Sequence, residues 1–256
     1  MVKWVKEVQK GSSQDKPVSA DIIQIDFFQA THDCVLKMNK LLTSLFALAV
    51  ASVTAVSVQA QEVKGDAKAA EQKIAMCIGC HGIKGYQASF PAVYKVPMIS
   101  GQGAKYIANA LNAYKTGERK HPTMRSVALG LTPQDVADVS AYYELHGNTL
   151  PAPDQIAPAP AKVAELLTKG GCAGCHGANY SKPTTPDFPR IAGQHKDYLY
   201  MALKSYKEDG SSTWGRSNAV MGGVAKQYTL AELKMIADYL GSQQGELKVV
   251  PQSKFR

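Results

Sequence analysis

The sequence predicts an all-α protein built from two tandem copies of one small helical domain. Three observations carry this prediction. The same landmarks recur in the same order in the two halves of the 256-residue chain. Within each half, apolar residues return at three-to-four spacing. No alternating strand pattern of useful length occurs anywhere.

The first element is an address segment. Residues 38–60 combine a positive start at Lys40, an apolar run from Leu41 to Val56, and small residues at Val58 and Ala60. This is the pattern of a signal peptide cleaved before Gln61. The apolar run is shorter than the roughly 20 residues that a membrane-spanning helix needs. Signal peptides begin at a start methionine, so Met38 is expected to be the true start and residues 1–37 a mis-assigned upstream extension. Those 37 residues are polar, lack sustained periodicity, and contain the stray Cys34.

The repeat follows. Cys77-Ile78-Gly79-Cys80-His81-Gly82 matches Cys172-Ala173-Gly174-Cys175-His176-Gly177. Ser100-Gly101-Gln102 matches Ala192-Gly193-Gln194, Tyr106 and Tyr114 match Tyr198 and Tyr206, and Met124, Thr132 and Tyr142 match Met221, Thr229 and Tyr239. The expected boundaries are a first domain over 61–147, a proline-rich linker over 148–160, and a second domain over 161–256. The linker prolines favour an extended connection without a core of its own. First helices are expected from Asp66 to Met76 and from Lys162 to Lys169, then 104–116 and 196–208. The last helices start at Thr132, followed by Pro133 and Asp135, and at Thr229, with Glu232 completing a capping box.

The repeated Cys-x-x-Cys-His run carries the chemistry. Two thiols one helical turn apart suit addition to the two vinyl groups of a haem, and the adjacent histidine then faces the iron. Cys77, Cys80, Cys172 and Cys175 are therefore the expected attachment points of two covalent haem c groups, with His81 and His176 as proximal iron ligands. A structural zinc site would want four clustered ligands, and each half offers two Cys and one His. A thioredoxin-like pair would follow a strand, and none precedes either motif.

The sixth iron ligand is chosen by internal symmetry. The first half offers Met76, Met98 and Met124; the second offers Met201, Met221 and Met235. Met98 aligns with Arg190, Met201 with Asn109, Met235 with Asp138 and Met76 with Gly171, so only Met124 and Met221 are equivalent. They are the expected axial ligands, and methionine ligation raises a haem potential. Among the other histidines, His121 has Asn218 as its counterpart, His195 has Gly103, and His146 ends a helix, where a solvated cation is the ordinary expectation. All three read as surface residues.

With these residues in hand, the chain resembles the class I cytochromes c and, among them, the two-domain dihaem cytochrome c4 family. The likeness covers residues 66–242 and includes the segments Pro97 to Gln102 and Pro189 to Gln194, both Pro-x-x-x-Gly-Gln. The resemblance implies that the Pro97 carbonyl steadies His81 and the Pro189 carbonyl steadies His176. It also sets Gln102 and Gln194 among the residues surrounding the ligands. It further implies periplasmic, one-electron transfer from a quinol–cytochrome c reductase to a terminal oxidase or reductase, with no small-molecule substrate turned over.

The net charge of +8 and pI near 9.1 fit acidic redox partner proteins or peripheral association with an anionic membrane. No Lys/Arg run or arginine-rich helix points to nucleic acid. Two alternatives remain open on sequence. One is an electron-transfer subunit of a dehydrogenase complex. The other is a dihaem peroxidase, which would need an open iron and distal acid–base groups that the sequence does not place convincingly.

Overall fold

The computed structural model describes residues 63–146, 151, 153–208 and 211–251. The expectations for the address segment, the upstream extension and Cys34 lie outside these residues. Both repeats fall within one compact unit, Glu62–Arg256.

The first repeat runs α1 (Ala67–Ala70), α2 (Ala75–His81), β1 (Gln87–Ala88), β2 (Tyr94–Lys95), α3 (Ala104–Thr116), β3 (Arg119–Lys120), α4 (Pro122–Leu129) and α5 (Pro133–Leu145). The second runs α6 (Ala161–Lys169), α7 (Cys172–His176), α8 (Lys196–Lys207), β4 (Gly215–Arg216), α9 (Ala219–Lys226) and α10 (Leu230–Ser242). The expected first helix over 66–76 is broken into two. Asp66 caps α1, accepting the Lys68 and Ala69 amides at 2.8 and 3.3 Å, and the chain then turns before α2 carries the cysteines. The long helices lie where periodicity put them, and both Thr132–Asp135 and Thr229–Glu232 close full capping boxes. Replacing such a cap residue by alanine costs about 1 kcal/mol.

Each repeat has its own core. In the first, Ile74, Ile78, Ile107, Leu111, Val136 and Val139 converge between the helices; in the second, Val163, Leu166, Leu199, Leu233, Ile236 and Leu240 do so. Asp138 lies 1% exposed beneath α1. It accepts the Asp66 amide at 2.8 Å and Gln134 Nε2 at 2.7 Å, and pairs with Lys73 at 3.0 Å. The second repeat has Met235 at this position and no such network.

Two features add to the sequence reading. The later part of the linker packs on the second repeat. Ile156 and Ala159 pack on the second core, Gln243 Oε1 accepts the Ala157 amide at 3.0 Å, and the Tyr239 hydroxyl donates to the Ala157 carbonyl at 2.7 Å. The fold also contains short antiparallel ladders, two residues per strand, that no local pattern announces. One joins β1 to β2; the other joins β3 of the first repeat to β4 of the second, setting Arg119 opposite Arg216. Further contacts across the repeats are a bridge between Ser100 and Lys248 and the Lys95 amide donated to Asp197 at 3.0 Å.

Candidate haem sites

Both Cys-x-x-Cys-His motifs are helical, so the two sulfurs of each pair stand one turn apart on α2 and α7. All four thiols are free and half-buried. Burial pushes the Cys77 thiol up to about 11 and also raises Cys172, so neither has the lowered pKa of a redox dithiol.

The histidines at the ends of these helices are oriented alike. His81 Nδ1 donates to the Pro97 carbonyl at 2.8 Å, and His176 Nδ1 donates to the Pro189 carbonyl at 2.9 Å. A carbonyl only accepts, so the proton sits on Nδ1 and the Nε2 lone pair is left for a metal. Burial lowers both pKa values, opposed by these carbonyl bonds, which keeps the rings neutral and able to ligate.

Met124 and Met221 occupy the same place in their repeats, the third residue of the short helices α4 and α9. In both helices the residue before the first turn caps the methionine's own amide. His121 Nδ1 accepts the Met124 amide at 3.3 Å, and Asn218 Oδ1 accepts the Met221 amide at 2.9 Å. These two helices were not read from the sequence, although Pro122 after His121 and the capping residue Asn218 are start signals. The other methionines are placed differently: Met201 is buried on α8, Met76 is 55% exposed and Met235 is 36% exposed.

The three histidines expected at the surface are half-buried. His121 is the cap just described. His146 closes α5, with Ser100 Oγ at 2.9 Å from its Nδ1 and its ring stacked 4.7 Å from that of Tyr142. Burial lowers its pKa, which favours a neutral packed ring over the expected solvated cation. His195 precedes α8, and its pKa is likewise lowered by burial.

Among the described residues, no hydrogen bond joins Gln102 or Gln194 to the proximal histidines His81 and His176. Each reaches into the other repeat: Gln194 bonds the backbone of Met98, and Gln102 that of Arg190. Arg190 itself donates to the Gly101 carbonyl and pairs with Glu246 at 3.1 Å.

Sequence reading also missed Arg119 and Arg216, which stand upstream of the methionine in each repeat. Arg119 donates to the Tyr106 hydroxyl at 2.9 Å and lies over the Tyr106 and Tyr114 rings at 5.2 and 5.9 Å. Arg216 donates to the Tyr198 hydroxyl at 3.0 Å and lies over Tyr198 and Tyr206 at 5.5 and 5.3 Å. Burial would raise the Tyr206 pKa, but the two guanidiniums more than offset it and lower it. Among the described residues, no Asp or Glu forms an ion pair with either guanidinium. Even with Tyr206 ionised, one positive charge between the repeats has no counter-ion. Half-buried like charges set opposite each other call for an anion. The two propionates of each haem are anions of suitable chemistry, so the residues present fit the group.

Known proteins resemble this chain in sequence and in fold. The sequence profile of the Cytochrome c family matches residues 67–144 and again 160–244. The chain is 31% identical over 220 residues to the cytochrome c4 of Stutzerimonas stutzeri, covering 79% of this chain and 98% of that protein. It is 30% identical over 183 residues to the thiosulfate dehydrogenase electron acceptor of Thiomonas intermedia, covering 68% of this chain and 82% of that one. The crystal structure of reduced cytochrome c4 from Pseudomonas stutzeri superposes with a TM-score of 0.51 at 27% identity, over 69% of this chain and 98% of that one. The duplicated helical fold carries two covalent haem c groups and transfers electrons without acting as an enzyme, and the chain belongs to the cytochrome c4 family.

Proposed function

We propose that this protein is a periplasmic dihaem carrier that moves electrons singly from a quinol-oxidising respiratory complex to a terminal oxidase or reductase. In this reading Cys77, Cys80, Cys172 and Cys175 hold the haems, and His81 with Met124 and His176 with Met221 close the two irons. The observation that carries it is the duplicated geometry: in both repeats the histidine is aimed by a carbonyl, and the methionine sits at the same capped helix position.

The bound haems supply a reversible one-electron couple. The chain's residues set its working range. The Pro97 and Pro189 carbonyls fix the imidazole rings, and neutral methionine sulfur favours the reduced state. Two closed irons leave no position for a substrate, which favours a carrier over a peroxidase. The signal-peptide pattern of residues 38–60 supports export. Among the described residues, no helix is long and apolar enough to cross a membrane.

A second reading makes the chain the electron-accepting partner of a dehydrogenase. The match to a thiosulfate dehydrogenase electron acceptor favours it. An optical spectrum of the haem-loaded protein tests the common core. Two low-spin haems with a methionine–iron charge-transfer band and no response to carbon monoxide are expected. A high-spin, carbon monoxide-binding haem would overturn the closed-iron reading. Co-migration with a dehydrogenase subunit on purification would select the second reading; migration alone would select the free carrier.

A further inference from the structure

Each proximal histidine is aimed by a carbonyl of its own repeat, yet the segment that presents this carbonyl is held from the other repeat. Gln194 Oε1 accepts the Met98 amide at 3.0 Å while its Nε2 donates to the Met98 carbonyl at 2.8 Å. Met98 directly follows Pro97, whose carbonyl receives His81. In mirror image, Gln102 Oε1 accepts the Arg190 amide at 2.9 Å and its Nε2 donates to the Arg190 carbonyl at 3.0 Å. Arg190 directly follows Pro189, whose carbonyl receives His176.

Both glutamines are nearly buried, at 5% and 4% exposure. Their carboxamides are used on both sides. The same Oε1 atoms also accept the next amide in each repeat, Gly103 for Gln102 and His195 for Gln194, both at 3.0 Å. Neither amide can turn over without exchanging matched donors and acceptors for mismatched ones. A buried amide with its partner removed keeps its full desolvation penalty, so the clasps resist slippage.

We propose that the two haem sites are cross-wired: Gln194 of the second repeat is a positioning residue for His81 of the first, and Gln102 of the first is a positioning residue for His176 of the second. The proposal rests on the histidine–methionine ligation of the preceding section. The physical chain is short. Loss of a clasp frees Met98 or Arg190, the neighbouring proline carbonyl moves, and the bond to histidine Nδ1 weakens. A weaker bond leaves the imidazole a poorer donor to ferric iron, so the potential of that haem rises.

The test uses the full-length, two-haem protein. The wild-type spectrum is read first; if it lacks two methionine-closed haems, the ligand reading itself fails, before any variant bears on the crossing. Gln194→Leu and Gln102→Leu are then compared by spectroelectrochemistry and by proton NMR of the haem methyl groups. Met124→His and Met221→His assign the signals to each haem. Gln194→Leu is expected to raise the potential and shift the methyl resonances of the haem on Cys77 and Cys80, leaving the other haem in place. Gln102→Leu is expected to do the reverse. A glutamine that moves only the haem of its own repeat, both haems equally, or neither would overturn the proposal. The two variants are independent mirror tests, so failure of one to take up haem leaves the other to decide.

Discussion

Arg119 and Arg216 are register partners in a ladder that joins the two repeats, so two half-buried guanidiniums meet where the repeats touch. Tyrosine hydroxyls and ring faces soften this meeting without neutralising it.

If haem propionates complete that cluster, removing either cation stabilises the ferric state nearby. Arg216→Gln and Arg119→Gln are each expected to lower a haem potential by roughly 30–60 mV, taking 59 mV per tenfold for one electron. Arg→Lys at the same positions is expected to retain most of the potential. Spectroelectrochemical titration of the two-haem protein measures this, and unchanged potentials in both glutamine variants would remove the propionates from the cluster.

Replacing Met221 separates ligand from core filler. Met221→His is expected to keep the second haem low-spin while lowering its potential and abolishing its methionine–iron band. Met221→Ala is expected to open that iron to carbon monoxide. The first haem stays closed in both, because Met124 is untouched. A Met221→Ala protein whose spectrum matches wild type would place the ligand elsewhere.

The Asp138 network predicts acid sensitivity in the first repeat. Burial raises the Asp138 pKa, but the Asp66 amide, Gln134 and Lys73 together more than offset it and hold it low. A carboxylate whose folded pKa is depressed contributes stability above its unfolded pKa of about 3.9, and that contribution is lost as pH falls through the folded value. Asp138→Asn is therefore expected to cost about 1–3 kcal/mol at neutral pH. The gap to wild type is expected to narrow below about pH 4. Chemical denaturation at pH 7 and pH 3 measures both ends, and a gap that stays constant would remove the ionised carboxylate from the account.

Gly177, directly after His176, has φ +80°. A Cβ there would drive into the Lys182 carbonyl, which is backbone and cannot swing aside. Gly177→Ala is expected to cost at least about 1–3 kcal/mol in strain and to reduce haem loading of the second repeat. Its repeat partner Gly82 has φ −93°, so Gly82→Ala lacks the φ strain and meets a milder contact, its Cβ lying 2.9 Å from the Ile78 carbonyl. Pyridine haemochrome content and thermal unfolding compare the two, and equal effects would refute the conformational argument.

The sequence by itself determined what is local or repeated. Cys-x-x-Cys-His is complete within five residues, and Thr132 and Thr229 start their helices by bonding amides one turn away, so both were legible. Aligning the repeats paired Met124 with Met221 at equivalent positions, and both stand third in a short capped helix. Tertiary structure decided what depends on two distant segments meeting. Gln102 and Gln194 stand in the same motif as the prolines, and nothing local says that their amides clasp the opposite repeat. Arg119 and Arg216 passed without notice in the sequence, because nothing local announces that β3 and β4 pair. His146 read as a solvated cation until Ser100, 46 residues away in the chain, met its ring. The physical reason is the same in each case: hydrogen-bond partners and burial are set by which surfaces the fold brings together, and these partners come from segments distant in the chain.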